Sequence, residues 1–392
     1  MTDVWILASL WLALALISTF ISVKIGIATA LSEILVGIAV QAIIVAFFGG
    51  FSLGAHESWI TFLAGSGAII LTFLAGAELD PEVFRLKWKE ISLLGLIAFF
   101  VPLFGCTATA YYILGWNLMA SWLCGVALST TSVAVVYAVM LELGLNRTEF
   151  GKVILGACFI NDLGTVIALG LIFSPFTIKT IIFLIISILI LLFLPRITRY
   201  FFQHYSDLPA EIETKYILLI LFSMGALAAW AGSEAVLPAY LIGMALAGSV
   251  GKNHAFIRRI RTLTLGLLTP FYFIRAGSLV SLSALIAAPL VFIILLVAKM
   301  ITKTVGVYPI AKMVKYPHLE SVYTTLLMST GLTFGTISSL FGLTHGIITA
   351  EQYSYLVATV IGSAIIPTMI ANTFYLPKHL IHELESEEAN EK

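Results

Sequence analysis

Charge is the scarcest ingredient of this sequence. Only 11% of its 392 residues are Asp, Glu, Lys or Arg, against roughly a quarter in soluble domains. So few charges cannot clothe the surface of a water-soluble protein of this size, which excludes a soluble enzyme or binding module. The 21 basic and 21 acidic residues cancel, so no excess of either sign marks a nucleic-acid partner. Cysteine is also scarce. Cys106, Cys124 and Cys158 are odd in number, widely spaced and set in apolar runs; they form neither a disulfide framework nor a metal-ligand cluster and read as small apolar fillers. Long polar segments are missing too. The longest connection, RITRYFFQHYSDLPAEIETK, and the acid-rich tail PKHLIHELESEEANEK are too short and polar to fold alone or to bind a nucleotide.

What is present is apolar sequence: 60% of the residues are hydrophobic and the mean hydropathy is +1.05. Runs of about 20 apolar residues recur, the length of a membrane-spanning helix, without the alternation of a transmembrane barrel. An all-α membrane protein is expected, with thirteen spans near 4–22, 32–48, 59–77, 91–114, 120–140, 151–174, 178–195, 216–231, 236–250, 262–281, 285–310, 320–343 and 353–376. The N-terminal MTDVWILASLWLALALISTF lacks the basic segment and cleavage site of a secretory signal, so it counts as the first span.

Thirteen spans place seventeen of the 21 basic residues in one set of connections. The other set holds only Lys179, and Arg275, Lys299 and Lys303 lie inside spans. Because Lys and Arg are retained on the cytoplasmic side, the N-terminus is expected outside and the C-terminus inside the cell membrane. Spans one to six (1–175) start outside and spans eight to thirteen (216–377) start inside. Joined by a linking span and linker (176–215) and followed by a polar tail (378–392), they permit two inverted repeats, a plan common among secondary transporters. No sequence identity between the halves is visible by eye.

Ionisable groups at membrane depth are costly and therefore functional candidates. Asp162, in GACFINDLGTVIALG, lies mid-span and must be protonated, paired or ion-bound. A carboxylate alternating between a proton and a small cation is a carrier for exchange. Asn161 can donate to it or offer an oxygen ligand; a plain helix–helix hydrogen bond is the bland alternative for both. The fifth span carries Ser129, Thr130, Thr131 and Ser132 in a row, and the twelfth has Gly331 and Gly335 among small hydroxyl residues. Both are expected helix breaks in matching places, where unwound carbonyls can hold a cation; close helix packing is the competing reading. Lys299 and Lys303 share one helix face and are counter-charge candidates for Asp162, unless they snorkel to the interface. Arg275 suits either a broken-helix carbonyl or the ion path. Glu78, Asp80 and Glu82 read as a solvated cluster beside Arg85, Lys87 and Lys89 that could funnel cations.

SEILVGIAV, TFLAGAELDPE, ALSTTSVAVV, INDLGTVIAL, TPFYFIRAGSLVSLSAL and TKTVG, in that order over residues 30–375, resemble segments of the monovalent cation:proton antiporters of the NapA and Kef type. The resemblance implies an NhaA-like fold with broken helices crossing near the midplane, and a homodimer in which a core domain carries the ion past a fixed dimerisation domain. It makes Asp162 the carrier of cation and proton, sets Thr130 and Thr131 at the crossover, and matches Lys303 to the family's lysine. Asn161 followed by Asp162 implies electroneutral exchange, whereas Lys303 is typical of the electrogenic type. The long Kef proteins carry a nucleotide-binding regulatory domain that this chain is not expected to share. The reading is therefore a proton-coupled Na+ or K+ antiporter in membrane lipid, with no cofactor and no enzymatic activity. A sodium-coupled symporter of an organic anion is the first rival. It would need a roomier site than the small residues around Asp162 suggest. A channel would need a filter-like repeat, and none is present.

Overall fold

The computed structural model describes residues 2–25, 29–48, 53–77, 85, 87–143, 145, 148–173, 177–205, 211–231, 235–250 and 253–380. The described chain is helical throughout, as a bilayer demands, because a helix satisfies its backbone polar groups internally. Glu78, Asp80 and Glu82 lie outside the described residues, as does most of the tail. Among the described residues ten helical segments are long and apolar enough to cross a membrane. The expected count of thirteen is not confirmed, because three expected stretches fall outside these ten: 120–140 is broken in two, 236–250 holds a helix of 11 residues, and 262–281 contains a π-turn.

The first half comprises α1 (Thr2–Ile25), α2 (Thr29–Phe48), α3 (Ser58–Ala77), α4 (Trp88–Ala108), the broken pair α5 (Leu118–Ser129) and α6 (Val133–Glu142), and α7 (Glu149–Phe173). The connecting α8 runs Ile178–Tyr205. It continues ten residues beyond the expected span end and straight through Pro195, so the supposed linker begins as helix. Arg196, Arg199 and Tyr200 on this extension are exposed. The second half comprises α9 (Ile212–Trp230), α10 (Val236–Leu246), α11 (His254–Leu263), α12 (Thr269–Ser278), α13 (Leu282–Ala287), α14 (Pro289–Met313), the broken pair α15 (His318–Met328) and α16 (Thr333–Thr344), and α17 (Ala350–Phe374).

The helices sort into two bodies. In the panel, α2 crosses α12 and α3 crosses α10 at backbone contact, with Gly37 and Gly277 at one crossing and Gly76 and Gly243 at the other. A Cβ at any of these four would strike the facing main chain. In the bundle, α4 and α14 form the spine and α5, α7, α15 and α17 pack around them. Gly105 of α4 faces Thr302 and Gly306 of α14 faces Val101, the same contact with the partners exchanged.

Those exchanged contacts expose a repeat that sequence alone hides. Ser121 donates to the carbonyls of Trp116 (3.3 Å) and Asn117 (2.8 Å); Ser321, two hundred positions later, donates to those of Tyr316 (3.1 Å) and Pro317 (2.8 Å). Thr130 donates to Ala127 O at 2.9 Å, and Thr330 to Leu327 O at 2.8 Å. Thr148 and Thr349 each cap the helix that follows, α7 and α17 respectively. The hydroxyls recur in the same roles in both halves: Ser121, Thr130, Ser321 and Thr330 donate to carbonyls near a helix start or break, and Thr148 and Thr349 accept from N–H groups in the first turn of the helix that follows.

Candidate ion-binding site

The two breaks meet. After Ser129 the chain turns extended at Thr130 (φ −62°, ψ 150°), and after Met328 it leaves the helix until Leu332 (φ −150°, ψ −76°). Ser132 N donates to Thr330 O at 3.0 Å, and the Thr131 hydroxyl donates to Met328 O at 2.7 Å. Each unwound segment thus satisfies part of the other, as buried backbone requires. Both expected breaks are present, and Ser132 also accepts from Val135 N to start α6.

From α7, Asn161 reaches into the first break with both ends of its amide. Its Oδ1 accepts from Thr131 N at 2.8 Å and its Nδ2 donates to Ser129 O at 3.1 Å. Neither atom bonds Asp162: Asn161 holds the backbone open. The next residue, Asp162, is 1% exposed, and among the described residues its Oδ1 has no hydrogen-bond partner. Small residues let α7 come close to α4, with Gly156 against Ile91 and Gly164 against Phe99, and this seats the carboxylate inside the bundle.

Both lysines of α14 are fully buried, so neither snorkels. Lys303 Nζ donates to the Thr131 hydroxyl at 2.9 Å, completing a chain from ammonium to hydroxyl to the Met328 carbonyl. Among the described residues no ion pair within 4 Å joins Lys303 or Lys299 to Asp162. The counter-charges stand off. Lys299 Nζ lies against Gly331 in the second break, where a Cβ would collide with it, and it has no hydrogen-bond partner among the described residues. Arg275 is elsewhere: in α12 it donates from Nε to Ala55 O at 2.7 Å, tying a loop to the panel.

Sequence reasoning passed over several groups. Glu33 is a second buried acid, 2% exposed on α2; its signal was plain, a carboxylate two residues into an expected span. Ser363, which lies within contact of Gly331, carries no signal, since serine is common in helices. Tyr240 of α10 donates to Phe159 O of α7 at 2.8 Å and meets Phe334 edge-on. Tyr353 of α17 donates to Ala276 O of α12 at 2.7 Å. These hydroxyls bridge panel and bundle.

The geometry is a buried carboxylate with a free oxygen beside two crossed, unwound helices, which can take up a proton or a small cation. Among the described residues no group of three His, Cys, Asp or Glu side chains gathers as a metal centre. The chain is similar to the probable Na+/H+ antiporter 3 of Methanocaldococcus jannaschii, at 24% identity over 86% of this chain and 89% of that one. It is similar to a Na+/H+ antiporter of Enterococcus hirae, at 25% over 91% and 94%. It is also similar to the glutathione-regulated potassium-efflux protein KefC of Cronobacter sakazakii, at 25% over 86% of this chain but 54% of that longer protein. The fold matches the sodium proton antiporter MjNhaP1 of M. jannaschii, with a TM-score of 0.72 at 17% identity, covering 95% of this chain and 96% of that one. The family model for "Sodium/hydrogen exchanger, transmembrane" matches residues 12–374, and the chain belongs to that family.

Proposed function

We propose that this multi-pass membrane protein exchanges protons for a monovalent cation, Na+ or K+, by alternating access, with Asp162 carrying both. The unpartnered Oδ1 of Asp162 carries the reading. A buried carboxylate oxygen without a donor costs about 1–3 kcal/mol, and a proton or a cation relieves that cost, each excluding the other. In this reading Asn161, with Thr130, Thr131 and Ser132, keeps the unwound carbonyls open beside the carboxylate. Lys303 supplies the standing positive charge that a cation must outcompete, and Lys299 supplies a second. Residues 1–175 and 216–377 are the two repeats, the N-terminus faces outside, and the working unit is a homodimer.

The test is reconstitution into proteoliposomes loaded with a pH-sensitive dye. Adding Na+ or K+ outside moves protons in the wild type, and Asp162→Asn abolishes the movement. Absence of proton movement with any monovalent cation across pH 6–9 would falsify exchange. The ion that elicits the response identifies the substrate; the relatives include proteins named for Na+ and for K+.

A further inference from the structure

Between α8 and α9, away from Asp162, runs an open groove of about 690 Å³. Its walls are Ile186, Leu189, Ile190 and Phe193 from α8 and residues such as Leu219 from α9, with Ser223 and Tyr216 the polar exceptions. From Ile186 to Ile197 the lining spans roughly 17 Å of helix, about half of a ~30 Å hydrocarbon core. That is the depth of one leaflet. The end formed by Ile197 and Tyr216 is closed by the hydrogen bond between Thr198 and the Tyr216 hydroxyl, 3.1 Å. Here the charge changes: Arg196, Arg199 and Lys215 flank the lining and are exposed, and among the described residues none is in an ion pair. The neighbouring acids do not cancel them, because Glu211 and Glu213 face Arg259, at 3.3 and 4.0 Å.

An apolar channel one leaflet deep with uncommitted basic groups at one end fits an amphiphile with a long tail and a negative head. We propose that this groove retains an anionic phospholipid, its acyl chain between α8 and α9 and its phosphate at Arg196, Arg199 and Lys215. The charge selects an anionic over a zwitterionic headgroup, since each Lys or Arg near a membrane surface contributes about fivefold to the affinity for anionic lipid. α8 is the covalent connection between the two halves, so a lipid wedged along it sits at the joint between them.

The experiment is native mass spectrometry of the purified full-length protein given equal amounts of dioleoyl phosphatidylglycerol and dioleoyl phosphatidylcholine. Wild type is expected to retain phosphatidylglycerol preferentially. Arg196→Gln with Arg199→Gln lowers that preference by about 25-fold. Ser223→Trp, placed on an exposed wall so that the core is untouched, reduces retention of both lipids. Equal retention of the two lipids by wild type overturns the proposal. So does a Ser223→Trp variant that keeps its lipid and changes its oligomeric state, because the groove then belongs to a second copy of the chain. The readout is bound lipid, so it is independent of whether the protein exchanges ions.

Discussion

The two halves build their broken helices alike but bring opposite charges to the crossing, Asp162 from α7 and Lys299 and Lys303 from α14. Ser129 and Thr130 recur as Ser329 and Thr330, and the Thr148 cap recurs as Thr349. In the same alignment Asp162 faces Ser363, while Lys299 and Lys303 face Ala98 and Pro102. The first half contributes the carboxylate and the second half the ammonium groups. A doubled scaffold supplies the crossing, and the chemistry comes from where the copies differ. Asn161 shows the same division, because its counterpart is Gly362, and among the described residues only the first break is held by a side chain across both its carbonyl and its N–H.

The comparison breaks most sharply at the carboxylate. Asp162→Asn is expected to lower cation-driven proton movement at least 100-fold in proteoliposomes, whereas Ser363→Ala stays within about threefold, since it alters only a hydroxyl bonded to its own helix. Next comes the amide. Asn161→Ala orphans Thr131 N and Ser129 O together, which costs about 2–4 kcal/mol and is read as a lower melting temperature alongside slower exchange. Wild-type melting would sink the view that Asn161 holds the break.

The lysines give a smaller contrast of opposite sign. Lys299→Met removes a buried ammonium with no hydrogen bond and is expected to raise stability by about 1–3 kcal/mol, while Lys303→Met strips a donor from Thr131 and costs about 1 kcal/mol. Thermal unfolding in detergent distinguishes them; equal shifts would erase the distinction. Least of all is the outer tie. Glu149 hydrogen-bonds Lys87 and raises its pKa, whereas Ala288 and Ala350 hold the matching places in the second half. A raised lysine pKa stabilises fully below the unfolded value near 10.4 and is lost as pH climbs through the folded one. Lys87→Ala is therefore expected to cost under about 1 kcal/mol, constant from pH 6 to 9, and to merge with wild type only in strong alkali.

Asp162, Lys299, Lys303 and the hydroxyl run were legible because a charge or a polar cluster in an apolar helix has no cheap bland explanation. The role of Asn161 was not, because sequence does not say which backbone an amide will meet. Span positions followed hydropathy except where helices are short, as in α10, or where a helix continues through a proline, as α8 does at Pro195. The residue-by-residue match between the expected repeats was not legible, because the positions the halves share are a few hydroxyls and glycines scattered among apolar residues that differ.

Tyr240 reaches from panel to bundle and Tyr353 from bundle to panel, one hydroxyl on each side of the joint. Any sliding of one body along the other must part both. A hydrogen bond worth about 1 kcal/mol net biases a position by roughly fivefold, too little to lock a mechanism and enough to make it pause. Were one body to slide along the other, the two tyrosines would act as detents, each giving that motion a preferred stop.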